Sequence, residues 1–362
     1  MKYIYLHVLF FDDIKFYKSL VRQINDDVEL RPKDHFFVTC YMNVYESIKE
    51  FSNVRFINKR ELFYYMFFSK FVIFHSMSLK KWQFLLLPKF MIKKIIWRTW
   101  GHDIRPYEKN NNILLNVLKS LEFKLFKNRI KHIYAMGIAN EIDIVNIEEV
   151  FKYKFKYFVL NYTNSSDLVR FLKGITPTKN DEYLKILVGH NCSPVDNHLE
   201  ILDKLKKFKN EKIHLIIPLS YSNPNNGYKE EIIKKAINTF GKSKISILDD
   251  FISLNDYIKL ISTIDIAIMD MYFSNGLGNI SYILYFKKKL YVRNGSNFDV
   301  AFRRENIFPN YTSEITLQSF DEFKCNYFNE NYLKFCKDLM NEDMFKKNWL
   351  KFMNESNGVN YE

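Results

Sequence analysis

The chain has 362 residues, 47% of them hydrophobic and 26% charged, which excludes a disordered polypeptide and leaves room for two ordinary domains. Lys and Arg outnumber Asp and Glu by 54 to 41, a net charge of +13, so an anionic partner is expected. No apolar run is long enough to cross a bilayer, since Pro88, Lys89, Lys93 and Lys94 interrupt the densest one, and Cys40, Cys192, Cys325 and Cys336 lack the paired spacing of a zinc site or a disulfide framework. Free thiols in a reducing cytoplasm are expected.

Strands are predicted at 3–11, 35–40, 53–57, 70–77, 94–100 and 131–136, with amphipathic helical patterns between them, as at 13–24 and 113–126. The first of these lacks the small residues of a cleavage site and reads as a strand, not a signal peptide. Short, nearly continuous apolar runs separated by helices predict a parallel sheet covered on both faces. From Lys80 to Lys131, 13 Lys and Arg stand against 3 Asp and Glu, a local +10 interleaved with Trp82, Phe84, Phe90, Met91 and Trp97. That mixture suits an anionic membrane surface, the alternative being a solvated basic face. The segment FKYKFKYF at 151–158 reads as a half-buried strand with a lysine face.

The segment GITPTKNDEY at 174–183 reads as a linker. Beyond it, strands are predicted at 183–189, 212–218, 244–249, 264–270 and 288–294, with a helix at 228–240 and an amphipathic helical tail over 329–352. The expected division is therefore 1–173, 183–328 and a tail of 329–362. The fold class is α/β, two Rossmann-like, doubly wound parallel-sheet domains facing across a cleft, with ligands beyond the carboxyl ends of the strands.

Those strand ends carry the candidate chemistry. In the second half, the loop from Gly189 to His198 includes Asn191 and Ser193, and can cradle a phosphate or simply start a helix capped by Asp196 or Asn197. A long polar loop follows at 218–228, in which Tyr221 and Tyr228 can stack on a ligand or sit at a rim. Asp270 ends a buried strand, and Asn275, Gly276, Gly278 and Asn279 then open a helix, an arrangement that lets the backbone approach a diphosphate. In the first half, His7 and Asp12, His75 and Ser76, and Trp100, His102 and Asp103 lie near three strand ends. Each histidine has an alternative reading as a satisfied structural residue. There is no Asp-x-Asp metal–diphosphate clamp and no Gly-Lys-Ser/Thr phosphate loop.

Taken in order, these pieces resemble one family. They are HVL at 7–9 with Asp12, the FH of FHSMS, W-x-x-WG-x-D from Trp97 to Asp103, LVG at 187–189 with Asn197 and His198, P-x-x-Y ending at Tyr221 with Asn225, Asn226 and Tyr228, then Tyr257, Gly276, Gly278 and Asn294. The chain resembles the bacterial dTDP-N-acetylfucosamine:lipid II N-acetylfucosaminyltransferases, also called 4-alpha-L-fucosyltransferases, departing from their pattern at Phe10, His102 and Ser220. The resemblance implies a GT-B fold, with the nucleotide-sugar donor on the C-terminal domain and the acceptor on the N-terminal one. It implies an inverting transfer without bound metal or other cofactor. The donor would be a dTDP or UDP sugar, and the acceptor a polyprenyl-diphosphate-linked saccharide of surface polysaccharide synthesis. The protein would sit in the cytoplasm, peripheral on the inner face of the membrane. The sequence carries no recognisable nucleic-acid-binding motif, so no nucleic-acid partner is expected.

On this reading Gly189, Asn191, Ser193, Tyr221, Tyr228, Asp270, Asn275, Gly276, Gly278 and Asn279 bind the donor, and His75, Ser76, Trp100 and His102 the acceptor. Asp103 is the first candidate for general base, with His7 and Asp12 in reserve. The competing functions are a nucleotide-sugar epimerase on the same scaffold and a non-catalytic basic protein that binds lipid or nucleic acid.

Overall fold

The computed structural model describes residues 4–10, 14–77, 79–100, 103–104, 112–139, 141–162, 166–177, 182–220, 227–250, 252–273, 276–336, 341 and 343–358. The chain forms two units, one of residues 1–165 with 342–362 and one of residues 166–341. The division thus precedes the linker expected at 174–183.

The first unit is built on seven strands, β1 (Tyr5–Leu9), β2 (His35–Thr39), β3 (Val54–Phe56), β4 (Phe71–His75), β5 (Ile95–Arg98), β6 (Ala135–Ile138) and β7 (Tyr157–Val159). All neighbours pair in parallel, in the order β3-β2-β1-β4-β5-β6-β7. Between them run α1 (Ile14–Asp26), α2 (Met42–Ile48), α3 (Lys59–Phe68), α4 (Lys81–Leu85), α5 (Lys89–Ile92), α6 (Ile113–Ile130) and α7 (Ile142–Phe151). Every residue of β1 is buried, which is why its sequence is a continuous apolar run broken only by His7. Alternation splits the run between two cores. Leu6 and Val8 join residues of α3 to α7 on one side of the sheet, whereas Tyr5 and Leu9 join residues of α1 and α2 on the other.

The second unit begins with α8 (Ser166–Lys173) and carries six parallel strands, β8 (Leu184–Val188), β9 (Ile213–Pro218), β10 (Ile245–Leu248), β11 (Ile266–Met269), β12 (Lys289–Val292) and β13 (Asn310–Tyr311). Their order is β10-β9-β8-β11-β12-β13. Its other helices are α9 (His198–Leu205), α10 (Tyr228–Phe240), α11 (Leu254–Thr263), α12 (Leu277–Tyr285), α13 (Asn297–Arg304) and α14 (Phe320–Lys324). In each sheet the strand order reverses beside the first strand of the unit, at β1/β4 and at β8/β11. Ligands of such sheets bind beyond the carboxyl ends at that point.

The tail is not the single helix expected over 329–352. Residues Glu330–Cys336 form a 3-10 segment in the second unit, and α15 (Met344–Ser356) returns to the first. There Tyr5 donates to the Met353 carbonyl at 3.1 Å, and Trp349 Nε1–H donates to the Asn161 carbonyl at 3.0 Å. Trp349, Phe352 and Met353 are buried against the sheet. The four cysteines are free thiols. Among the described residues no helix is long and apolar enough to cross a membrane.

Candidate active site

In the second unit, the loop after β8 and the start of α12 meet through one imidazole. Gly189 has φ +68°, and a Cβ there would fall 2.5 Å from His198 Nε2 and 3.0 Å from Asp196 Oδ2, so only glycine fits. Asp196 is wholly buried. Its Oδ2 accepts the backbone N–H of His190 at 2.8 Å and of Asn191 at 3.1 Å, and lies 2.9 Å from His190 Nδ1. Burial acts to raise this carboxyl, but the bonds from His190 outweigh it and hold it below the usual range. The His190 ring packs on Gly276, where a Cβ would come within 2.8 Å of His190 Cδ2.

Gly276, at φ +66°, is the N-cap of α12 and has no side chain to cap the first turn, which also lacks an acidic residue. Helices α11, α13 and α14 are instead capped by Ser253, Ser296 and Ser319. Beside Gly278 an added Cβ would meet, among the described residues, only the Tyr282 ring, at 3.9 Å, which leaves this backbone room for a ligand. An uncapped helix start with open glycine backbone favours an anion. Asn279 is half-buried in the same turn, and Asn275 lies outside the described residues, as does Tyr221.

Other expected donor residues are already engaged. Asn191 is buried, and its Oδ1 accepts the Ser193 N–H at 2.8 Å. Ser193 caps the short turn Pro194–Asp196 through the Val195 N–H, whereas neither Asp196 nor Asn197 caps α9 with its side chain. Asp270 is inaccessible rather than ligand-facing. Its carboxylate takes the Thr312 hydroxyl and an Arg293 Nη2–H at 3.0 Å, and its carbonyl accepts the Asn197 side-chain amide at 2.7 Å. Arg293 also reaches Glu200 Oε2 at 3.0 Å and remains one-third exposed. The tip of Tyr228 meets His198 Nδ1 at 3.3 Å, and burial pushes the phenol up to about 12 and the imidazole down to about 4. His190 and Arg293 were not singled out from sequence. The available signals were a histidine directly after Gly189 and a cation next to Asp270 once Met269 pairs with Val292.

In the first unit the candidates turn inward. His7 is in the middle of β1 and fully buried, not at its end. Its Nε2 lies 2.8 Å from His35 Nδ1, its Nδ1 lies 3.0 Å from His75 Nε2, and His75 Nδ1 lies 3.1 Å from the Tyr162 hydroxyl. A neutral imidazole donates from one nitrogen and accepts at the other, so three rings in one tautomer satisfy this chain. Burial drives His7 well below its ordinary value, and His35 and His75 to about 3. His75 and Ser76 are therefore core residues, not an acceptor surface, with Ser76 at φ +84°.

Asp103 is a clasp. Its Oδ2 accepts from Ser76 Oγ–H at 3.0 Å, Met77 N–H at 3.1 Å and Trp97 Nε1–H at 2.9 Å, and its Oδ1 accepts from Trp100 N–H at 2.9 Å. Three donors crowd Oδ2 and one takes Oδ1, so the carboxylate is held in place by the surrounding chain and Oδ1 alone keeps an open lone-pair position. Trp100 is half-buried against Phe16 and Tyr162. Asp12 and His102 lie outside the described residues.

Solved structures share this architecture. A glycosyltransferase from Rickettsia africae matches with TM-score 0.63 at 13% identity, over 99% of this chain and 98% of that one. HepE from Anabaena, in complex with UDP and glucose, matches with TM-score 0.60 at 10% identity, over 98% and 100%. A UDP-N-acetylglucosamine 2-epimerase matches with TM-score 0.54 at 12% identity, over 100% and 98%. Two parallel-sheet units of this kind define the GT-B fold of glycosyltransferases. Residues 67–344 match the 4-alpha-L-fucosyltransferase family, glycosyl transferase group 56, and the chain belongs to it. It is a GT-B glycosyltransferase of that family.

Proposed function

We propose that the enzyme transfers a deoxy-amino sugar resembling N-acetylfucosamine from a dTDP- or UDP-linked donor to a polyprenyl-diphosphate-linked saccharide. The reaction serves surface polysaccharide synthesis at the inner face of an anionic membrane. The observation that carries this reading is the acid-free start of α12, which its glycine N-cap leaves without a side-chain cap among the described residues, with Gly278 open and the His190 ring packed on Gly276. The donor diphosphate binds there, on the second unit, and the acceptor binds the first.

Transfer is a single displacement with inversion. A base takes the proton of the acceptor hydroxyl, its oxygen bonds to the anomeric carbon, and the bond to the diphosphate breaks on the opposite face. Charge developing on the leaving diphosphate is stabilised by the opening N–H groups of α12 in place of a metal ion. Asp12, three residues beyond the end of β1, is the base in this reading; it is favoured over Asp103, which four donors engage, and over His7, which is buried.

A panel of nucleoside diphosphates and nucleotide sugars tests the donor by thermal shift, a ligand at a hundred times its Kd adding about 2.7 kcal/mol of stability. Transfer to a lipid-linked acceptor in the presence of EDTA tests the mechanism. Loss of transfer that only divalent metal restores would overturn it, and turnover of the nucleotide sugar without acceptor would favour an epimerase.

A further inference from the structure

Helix α6 has two apolar faces where one would suffice. Phe126 and Ile130 are buried in the core shared with α3, α4, α5 and α7, and Phe123 packs against that core. With about 100° of arc per residue, these three project to one side. Ile113, Leu114, Val117, Leu118, Leu121 and Leu125 occupy a stripe roughly 140° wide on the other side, and each is at least half exposed. A second apolar stripe on a helix already packed by its first is not accounted for by this unit's core.

The stripe is not isolated. α4 packs against α6 through the Phe84 and Phe126 rings, 5.2 Å apart. Phe90 of α5 meets Phe67 of α3 at 5.7 Å, and Phe63, Tyr64, Phe67 and Phe68 of α3 are exposed as well. All these helices cover the same side of the first sheet. Lys89 on α5, Lys93 directly after it and Lys124 on α6 are exposed among them, within the stretch that carries a local +10.

We propose that this face, formed by the exposed sides of α3, α5 and α6, is the surface by which the enzyme lies on an anionic lipid bilayer, with the α6 stripe among the acyl chains. The inference deepens the membrane reading above by naming the surface and its residues. Charge and apolarity together select the partner. A second copy would bring one strongly basic face against another, and like charges oppose that contact. A nucleic acid would accept the lysines but gives a leucine stripe nothing to bury against. A bilayer with anionic headgroups takes both, the lysines at the headgroups and the leucines below them.

The test uses the full chain with phosphatidylcholine vesicles, with and without phosphatidylglycerol, and three proteins: wild type, Leu118→Glu/Leu121→Glu, and Lys89→Glu/Lys93→Glu. The wild type is expected to cosediment with the phosphatidylglycerol vesicles and to be released by salt. The leucine variant should lose binding even at low salt, and the lysine variant should bind at least about fivefold more weakly for each charge removed. Both should keep wild-type melting temperatures, because the altered side chains are exposed. Equal binding of the leucine variant would overturn the proposal. So would a wild-type dimer that the leucine substitutions dissociate without any vesicle binding, or binding to duplex DNA that the leucine substitutions abolish. Nucleoside diphosphate binding in lipid-free buffer is unaffected by either variant, so its absence in the wild type would count against the donor assignment alone.

Discussion

Mild acid should destabilise the first unit steeply, because three histidines are buried there without charge. His7, His35 and His75 are fully enclosed and hydrogen-bonded in series. Burial holds His35 and His75 near 3 and His7 well below its ordinary value. In the unfolded chain the same side chains titrate near 6.5. The folded values are the lower ones, so the unfolded state takes up protons first. The stabilisation is therefore complete above about pH 6.5 and is lost as the pH falls from there toward 3. Between pH 7 and pH 5 the loss depends almost entirely on the unfolded value, because the folded rings stay neutral throughout. It amounts to about 2 kcal/mol per histidine, or about 6 kcal/mol for three, against a typical domain stability of 5–15 kcal/mol. The urea unfolding transition of the first unit, followed between pH 7.5 and 5.5, should show a slope of about 3–4 kcal/mol per pH unit near pH 5.5, an uptake of nearly three protons. His7→Leu should lower stability at pH 7.5 yet flatten that slope by about one proton. A midpoint that does not move between pH 7.5 and 5.5 would refute the neutral chain.

Asp103→Asn replaces an acceptor of four hydrogen bonds with an amide that must turn its own N–H toward some of the same donors. It should cost about 2 kcal/mol, a melting-temperature drop of roughly 4–8 °C, while unchanged stability with abolished turnover would restore Asp103 as the base. Asp12→Asn should do the opposite, cutting turnover by about a hundredfold with donor affinity and melting temperature preserved. Gly276→Ala should strain a residue at φ +66° by about 1–2 kcal/mol and displace His190, so stability and donor binding both fall. Gly278→Val, with open space around it, should leave stability within about 0.5 kcal/mol but raise the donor Kd by about tenfold or more, and calorimetry with nucleoside diphosphates separates the two variants.

Most of the scaffold was legible because its strands are buried on both faces. A fully covered strand such as Ile266–Met269 is a continuous apolar run, and that run stands out from the amphipathic helices beside it. The less legible pieces have weaker local signals. β13 is two residues long and exists only through its pairing with β12. The lysine–aromatic segment at 151–158 contributes only the start of β7, its first residue closing α7. α6 reads as an ordinary amphipathic helix over 113–126, yet its periodicity serves a buried face and an exposed one at once.

The candidate site divides in the same way. Glycine at 189 and 276 was informative because a positive φ and a close neighbour leave no other residue a place, and that requirement is written into the residue itself. Whether a carboxylate faces substrate is written elsewhere. Asp103 and Asp270 stand near strand ends as a catalytic or donor-binding acid would, but Ser76, Arg293 and Thr312, which help to occupy them, come from other segments. The histidines follow the same rule through strand register. Tyr5 is paired with His35 and Leu9 with His75, so each partner sits diagonally from His7, two positions along on the same face of the sheet. A shift of one residue in either pairing would turn a partner to the opposite face, and His7 would lose that contact. Three histidines tens of residues apart become one hydrogen-bonded chain only when two parallel registers are fixed together, so a strand-end histidine and a core histidine are indistinguishable until the sheet is assembled.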